Sequence, residues 1–148
     1  MTNLLELVFY SAVAASVLNP IAGSGPLTNE AMYLLATELP ETHQRVVRHI
    51  KAIEWDSPLV KVAGLGMDTG ILYVNQADEY RENAARWAGV LAHEAYHGYA
   101  KANCQPSYET VAILQEWATA KRLGASDEWL ARRWQTAWAV TDKVSTYC

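Results

Sequence analysis

Residues 86–102 read RWAGVLAHEAYHGYAKA, and the rest of the chain can be placed around them. One long helix is predicted from Asp78 to about Ala102, with Ala84, Trp87, Leu91 and Ala95 on a single apolar stripe. His93 and His97 stand four residues apart, so they project from one face of that helix, roughly opposite the stripe at about 100° per residue. Two imidazoles so placed can present a nitrogen each to one ion about 2.0–2.1 Å away. Glu94 points to one side of the pair, where it can reach water held by the ion without ligating the ion itself.

Downstream, Asn103–Ser107 breaks the helix, and Ser107 is placed to cap a helix over Tyr108–Leu123 that Gly124 ends. Ser126 caps a last helix from Asp127 to about Val144, in which Trp129, Trp134 and Trp138 are expected to be core anchors. Upstream, Leu59–Ala63 and Ile71–Asn75 read as a β-hairpin joined by the turn-rich Gly64–Gly70. Glu41 to about Trp55 reads as a helix with Val46, Val47, Ile50 and Ile53 as its stripe, and Asn29 as the cap of a helix over Glu30–Leu39. His43 and His49, six apart, do not share a face and read as surface histidines. The expected class is therefore α+β and predominantly helical: a small β-hairpin packed on the HExxH helix and a following glutamate helix, within one domain over 1–148.

Composition bounds the partners. The 148 residues carry 12 Lys and Arg against 16 Asp and Glu, a net charge of −4. The basic residues do not gather on one face, so a phosphate grip on nucleic acid is not expected. Residues 1–28 form an apolar segment, Leu4–Leu18, followed by the connector Pro20–Thr28. Glu6 and the missing basic flank argue against a signal peptide, and about 15 apolar residues fall short of a span. A core helix and a targeting or anchoring segment both stay open, and with them any association with a membrane. Cys104 and Cys148 are the only cysteines. A disulfide between them would close a long loop and contribute about 4 kcal/mol; two free thiols in a reducing compartment is the alternative. The bridge is favoured because a free Cys at position 148 would be exposed and reactive, and it would fit an extracytoplasmic location.

His93-Glu94-Ala95-Tyr96-His97, followed shortly by a helix carrying glutamates, resembles the zincin metallopeptidases, specifically their gluzincin branch, in a minimal version. The resemblance covers about Ile71–Gly124. The longer zincin pattern with a third His six residues after the second is absent, since position 103 is Asn. It implies zinc held by His93, His97 and a downstream glutamate, Glu94 as the base and acid of water-driven peptide hydrolysis, a peptide or protein substrate, and an apolar strand lining the cleft. The candidate third ligands, Glu109 and Glu116, lie about 10.5 Å apart along one helix face. The family's small residue three positions after the ligand points to Glu109, followed by Ala112. A hairpin centred near Cys104–Pro106 would instead bring Glu116 level with the histidines. Glu109 is the expected ligand, with Glu116 as the alternative. Two further readings stand beside the peptidase: a non-catalytic domain that keeps zinc for stability or partner binding, and a latent enzyme whose fourth ligand is the Cys104 thiolate.

Overall fold

Proline starts the first two helices. The computed structural model describes residues 21–75 and 83–148, so Leu4–Leu18 and the expected helix start at Asp78 lie outside the described residues. Helix α1 (Pro26–Glu38) and helix α2 (Pro40–His49) both carry Pro in their first turn, where its missing N–H would have no partner anyway. The expected cap, Asn29, therefore sits inside α1, and its Oδ1 accepts a hydrogen bond from Ser24 Oγ at 3.2 Å.

The helix expected to reach Trp55 stops at His49. Ile50 turns extended, and Ala52–Trp55 forms strand β1. Pairing overrides the helical stripe here, as Lys51 N–H donates to Gly70 O at 2.8 Å and β1 runs parallel to strand β3 (Ile71–Val74). Val46 and Ile50 are nevertheless fully buried, as the stripe required. Strand β2 (Ala63–Gly66) pairs antiparallel with β3, giving the sheet order β1-β3-β2. The hairpin exists, but its first strand begins at Ala63 rather than Leu59, which is exposed. The turn is tighter than the glycines suggested: residues 67–70 close it, with Gly70 at φ +70°, a conformation that costs glycine little.

Helix α3 (Ala84–Ala102) is capped by Asn83, whose Oδ1 accepts from Arg86 N–H at 3.1 Å. Its stripe is buried as the spacing required: Trp87, Leu91 and Ala95 join Met32, Leu35, Val46, Ile50, Leu72 and Val74 in the main core. Trp87 Nε1 donates to buried Thr28 Oγ1 at 2.9 Å, tying α1 to α3. Strand β4 (Ser107–Tyr108) leads into helix α4 (Glu109–Arg122). Helix α5 (Asp127–Ala139) packs on α4 through Trp129, Leu130 and Ala120, which form a second cluster with Ala85 and Ala125. Gly124 separates α4 from α5 at φ +93°, and Ser126 Oγ accepts from Trp129 N–H at 3.4 Å.

The carboxyl-terminal segment departs from expectation. Helix α5 ends at Ala139, and Val144–Ser145 forms strand β5, antiparallel to β4. Ser107 is thus a strand residue rather than the expected cap. Trp129 is a core anchor, but Trp134 and Trp138 are 43% and 52% exposed. Helix α5 buries only the face turned to α4, and those two rings flank it, extending outward from Trp117 at centroid separations of 5.2 and 5.6 Å. Cys104 and Cys148 are bridged. Among the described residues no helix is long and apolar enough to cross a membrane. The fold is α+β and predominantly helical, a small three-stranded sheet and a helical hairpin meeting at α3.

Candidate metal centre

Helices α3 and α4 run antiparallel at unusually short range, and Gly89 is the reason. A Cβ at position 89 would lie 2.8 Å from Glu116 O and 3.3 Å from Ala120 Cβ, so only glycine admits α4 this closely. With Gly89 facing Glu116, one turn along each helix brings His93 level with Ala112. One turn more brings His97 level with Tyr108, beside Glu109. The hairpin is therefore centred earlier in the chain than Cys104–Pro106, and the offset moves Glu109, not Glu116, to the mouth of the histidine pair.

His93, His97 and Glu109 could together hold a metal ion, since one ligand atom from each lies within 4.8 Å of the others. The imidazole Nε2 atoms are 3.2 Å apart. Glu109 sets Oε1 at 3.3 Å from His93 Nε2 and Oε2 at 3.3 Å from His97 Nε2. Donors held about 2.0–2.1 Å from one ion in a tetrahedron are spaced about 3.3 Å apart, and each imidazole Nε2 has the other ring and one Glu109 oxygen at about that separation.

The opposite nitrogens are engaged as well. His93 Nδ1 lies 3.0 Å from Glu116 Oε2; a carboxylate only accepts, so Nδ1 carries a hydrogen, and in the neutral ring Nε2 keeps the lone pair. His97 Nδ1 lies 2.5 Å from buried Ser107 Oγ. Both rings thus aim Nε2 at the same point. Glu116, 2% exposed, also receives Arg133 from α5 on the same Oε2, at 2.5 Å. Glu116 therefore stands on the far side of His93, away from the triangle formed by the two Nε2 atoms and Glu109.

Glu94 is 7% exposed. Its Oε2 accepts from Leu65 N–H at 3.1 Å, and its Oε1 lies 3.9 Å from His93 Nε2. Leu65 belongs to β2, the sheet edge nearest the site, whereas β3, the strand expected along the cleft, is the middle strand. A cleft of about 180 Å3 opens over the centre, lined by Val62, Ala63 and Val90 together with His93, Glu94, Glu109, Glu116 and Arg133. Cys104 is committed to its bridge and offers no thiolate, which removes the latency reading. His43 and His49 lie apart from the centre and are half-buried rather than superficial; His49 packs where a Cβ on Gly98 would come within 2.8 Å of it.

Electrostatically the centre calls for a cation. Three carboxylates, from Glu94, Glu109 and Glu116, surround the rings, with the Arg133 guanidinium as counter-charge. Burial opposes a charge on His93, yet its hydrogen bonds to Glu109 and Glu116, and the charge of Glu94, outweigh it and raise its pKa to about 10. The hydrogen bonds from both histidines hold Glu109 well below the usual carboxylate range, although its partial burial acts the other way. A divalent ion would meet the same demand that a proton on His93 meets in its absence.

Ser107 and Arg133 were not legible as site residues. Ser107 carried a competing reading as a helix cap, and nothing in the sequence sets Arg133 apart from the adjacent Arg132. Only the folded contacts of α4, α5 and β4 bring them to the rings. No family model matches the chain, and neither a curated protein nor a solved structure is similar to it.

Proposed function

We propose that this chain is a small zinc-dependent peptidase, with His93, His97 and Glu109 as the protein ligands and Glu94 as the group that handles the proton. The observation that carries the reading is the pair of imidazole Nε2 atoms 3.2 Å apart, each with one oxygen of Glu109 at 3.3 Å, beneath an open cleft with a buried glutamate at its rim. Three protein ligands and one open position is the pattern of catalytic rather than structural zinc, which takes four protein ligands. When bound, zinc supplies Lewis acidity, activating water toward a pKa of about 7 and polarising a carbonyl.

The chain's own residues supply the rest. Leu65 N–H fixes one oxygen of Glu94 and leaves the other directed toward the His93 side of the centre. From there Glu94 accepts the proton of the attacking water as its oxygen bonds to the peptide carbon. It returns that proton to the amide nitrogen as the C–N bond breaks. Glu116 holds His93 in the tautomer that presents Nε2, and Ser107 orients the ring of His97, as hydrogen-bond partners do behind metal-bound histidines. The cleft is bordered by β2, the outer strand of the sheet among the described residues, a setting that suits an extended peptide. The Cys104–Cys148 bridge fits an oxidising compartment.

The test pairs metal content with turnover. The parent protein is expected to bind one zinc per chain and to cleave a mixed peptide library, with cleavage lost in 1,10-phenanthroline. Glu94→Gln is expected to bind zinc undiminished and to cleave at least about 100-fold more slowly, the lower range for losing a general base. Equal cleavage by Glu94→Gln would overturn the mechanism. Zinc binding by the parent with no cleavage of any peptide would leave the non-catalytic zinc domain in its place.

A further inference from the structure

The observations reach one step beyond the ligands, along a chain of contacts crossing three helices. Arg133 on α5 donates to Glu116 Oε2 on α4 at 2.5 Å, and that same oxygen sits 3.0 Å from His93 Nδ1 on α3. Glu116 has 2% of its side chain exposed and Arg133 has 18%. Among the described residues the other oxygen of Glu116 has no hydrogen-bond partner, so its orientation depends on Oε2 alone. A buried carboxylate stripped of its counter-charge costs several kcal/mol. Arginine is the side chain that stays charged under such burial and holds an oxygen in a fixed plane.

We propose that Arg133 is a positioning residue for the metal centre: by anchoring Glu116, it fixes the ring of His93 and so the direction in which Nε2 meets the ion. This rests on the reading of His93, His97 and Glu109 as a metal site, and it adds a residue that is not itself a ligand. Its location on α5 also gives that helix a part in the centre, although α5 supplies no ligand. An effect of Arg133 on the centre that passes through Glu116 must be non-additive with the loss of Glu116, which makes the claim testable.

The experiment measures zinc affinity by chelator competition on the full chain, for the parent, Arg133→Met, Glu116→Gln and the double variant, with circular dichroism confirming the fold of each. Arg133→Met and Glu116→Gln are each expected to weaken zinc binding by about 10–100-fold, the usual effect of losing a partner behind a metal ligand. The double variant is expected to bind no worse than Glu116→Gln, within about threefold, and Arg133→Lys to recover most of the loss. In the cobalt-loaded protein, Arg133→Met should alter the visible ligand-field bands and Arg133→Lys should restore them. Should Arg133→Met fail to fold, Arg133→Gln takes its place with the same expected loss. Affinity within twofold of the parent would overturn the proposal, as would an equal loss from Arg133→Met in the parent and Glu116→Gln backgrounds. A parent that binds no zinc would remove the metal site itself, a different failure from a parent that binds and a variant that is unchanged.

Discussion

Substituting Gly89 by alanine tests how much of the centre depends on the approach of two helices. The added Cβ would sit 2.8 Å from Glu116 O, 3.1 Å from Glu116 Cγ and 3.3 Å from Ala120 Cβ, where ordinary contact begins near 3.4 Å. The nearest atom is backbone, so the strain cannot relax by rotating a side chain, and α4 must move by roughly half an ångström. Overpacking of this kind costs about 1–3 kcal/mol. Alanine's better helical propensity returns about 0.5–1 kcal/mol. The net expectation is a loss of about 0–2.5 kcal/mol, centred a little above 1. The displacement falls on Glu116, whose oxygen is 3.0 Å from His93 Nδ1, so zinc affinity should also drop by about tenfold. Urea unfolding of the metal-free protein reads the first quantity and chelator competition the second. A Gly89→Ala protein that gained the full propensity benefit and bound zinc like the parent would show that the close approach has no energetic consequence.

Other outcomes follow from the same contacts. In metal-free protein, His93 titrates near 10 against an ordinary 6.5. A raised folded-state pKa contributes stability fully below about pH 6.5 and loses it as pH climbs toward 10, so the urea midpoint should fall across that interval. A midpoint that rose from pH 6.5 to 9 would contradict this. Zinc binding near pH 8 should release about one proton from His93, measurable by calorimetry in buffers of different ionisation enthalpy. Ser107→Ala should weaken zinc binding by about 10–100-fold while costing the fold little, because it removes only the partner of His97 Nδ1; unchanged affinity would show that Ser107 does not orient the ring. Reduction of Cys104–Cys148, 44 residues apart, should lower stability by about 4 kcal/mol on the chain-entropy estimate, seen as a lower urea midpoint in dithiothreitol. No shift at all would mean that the bridge constrains little.

The helix carrying His93, Glu94 and His97 was legible because two independent periodicities agreed: an apolar stripe on one face and the ligand spacing on the other. The close approach of the two helices lies at Gly89, against Glu116 and Ala120, and the loop-based estimate that raised Glu116 set the centre of the hairpin too late in the chain. What the sequence could not disclose was set by partners distant along the chain. Ala52–Trp55 has a helical spacing and becomes a strand because β3 is there to pair with it. Ser107 has a capping residue's chemistry and is taken by β5 and His97 instead. Trp134 and Trp138 share a helical stripe, yet among the described residues no element covers that side of α5. Arg133 is one of two adjacent arginines, and only the burial of Glu116 distinguishes it from its neighbour.

All three donors lie between residues 93 and 109, within one helix–turn–helix. Contacts this local form early, because little loop-closure entropy stands in their way. An ion captured there would stabilise the folding nucleus as well as the finished protein. Zinc should therefore lower the barrier out of the denatured ensemble, showing in stopped-flow refolding as a faster forward rate and not merely a slower unfolding one.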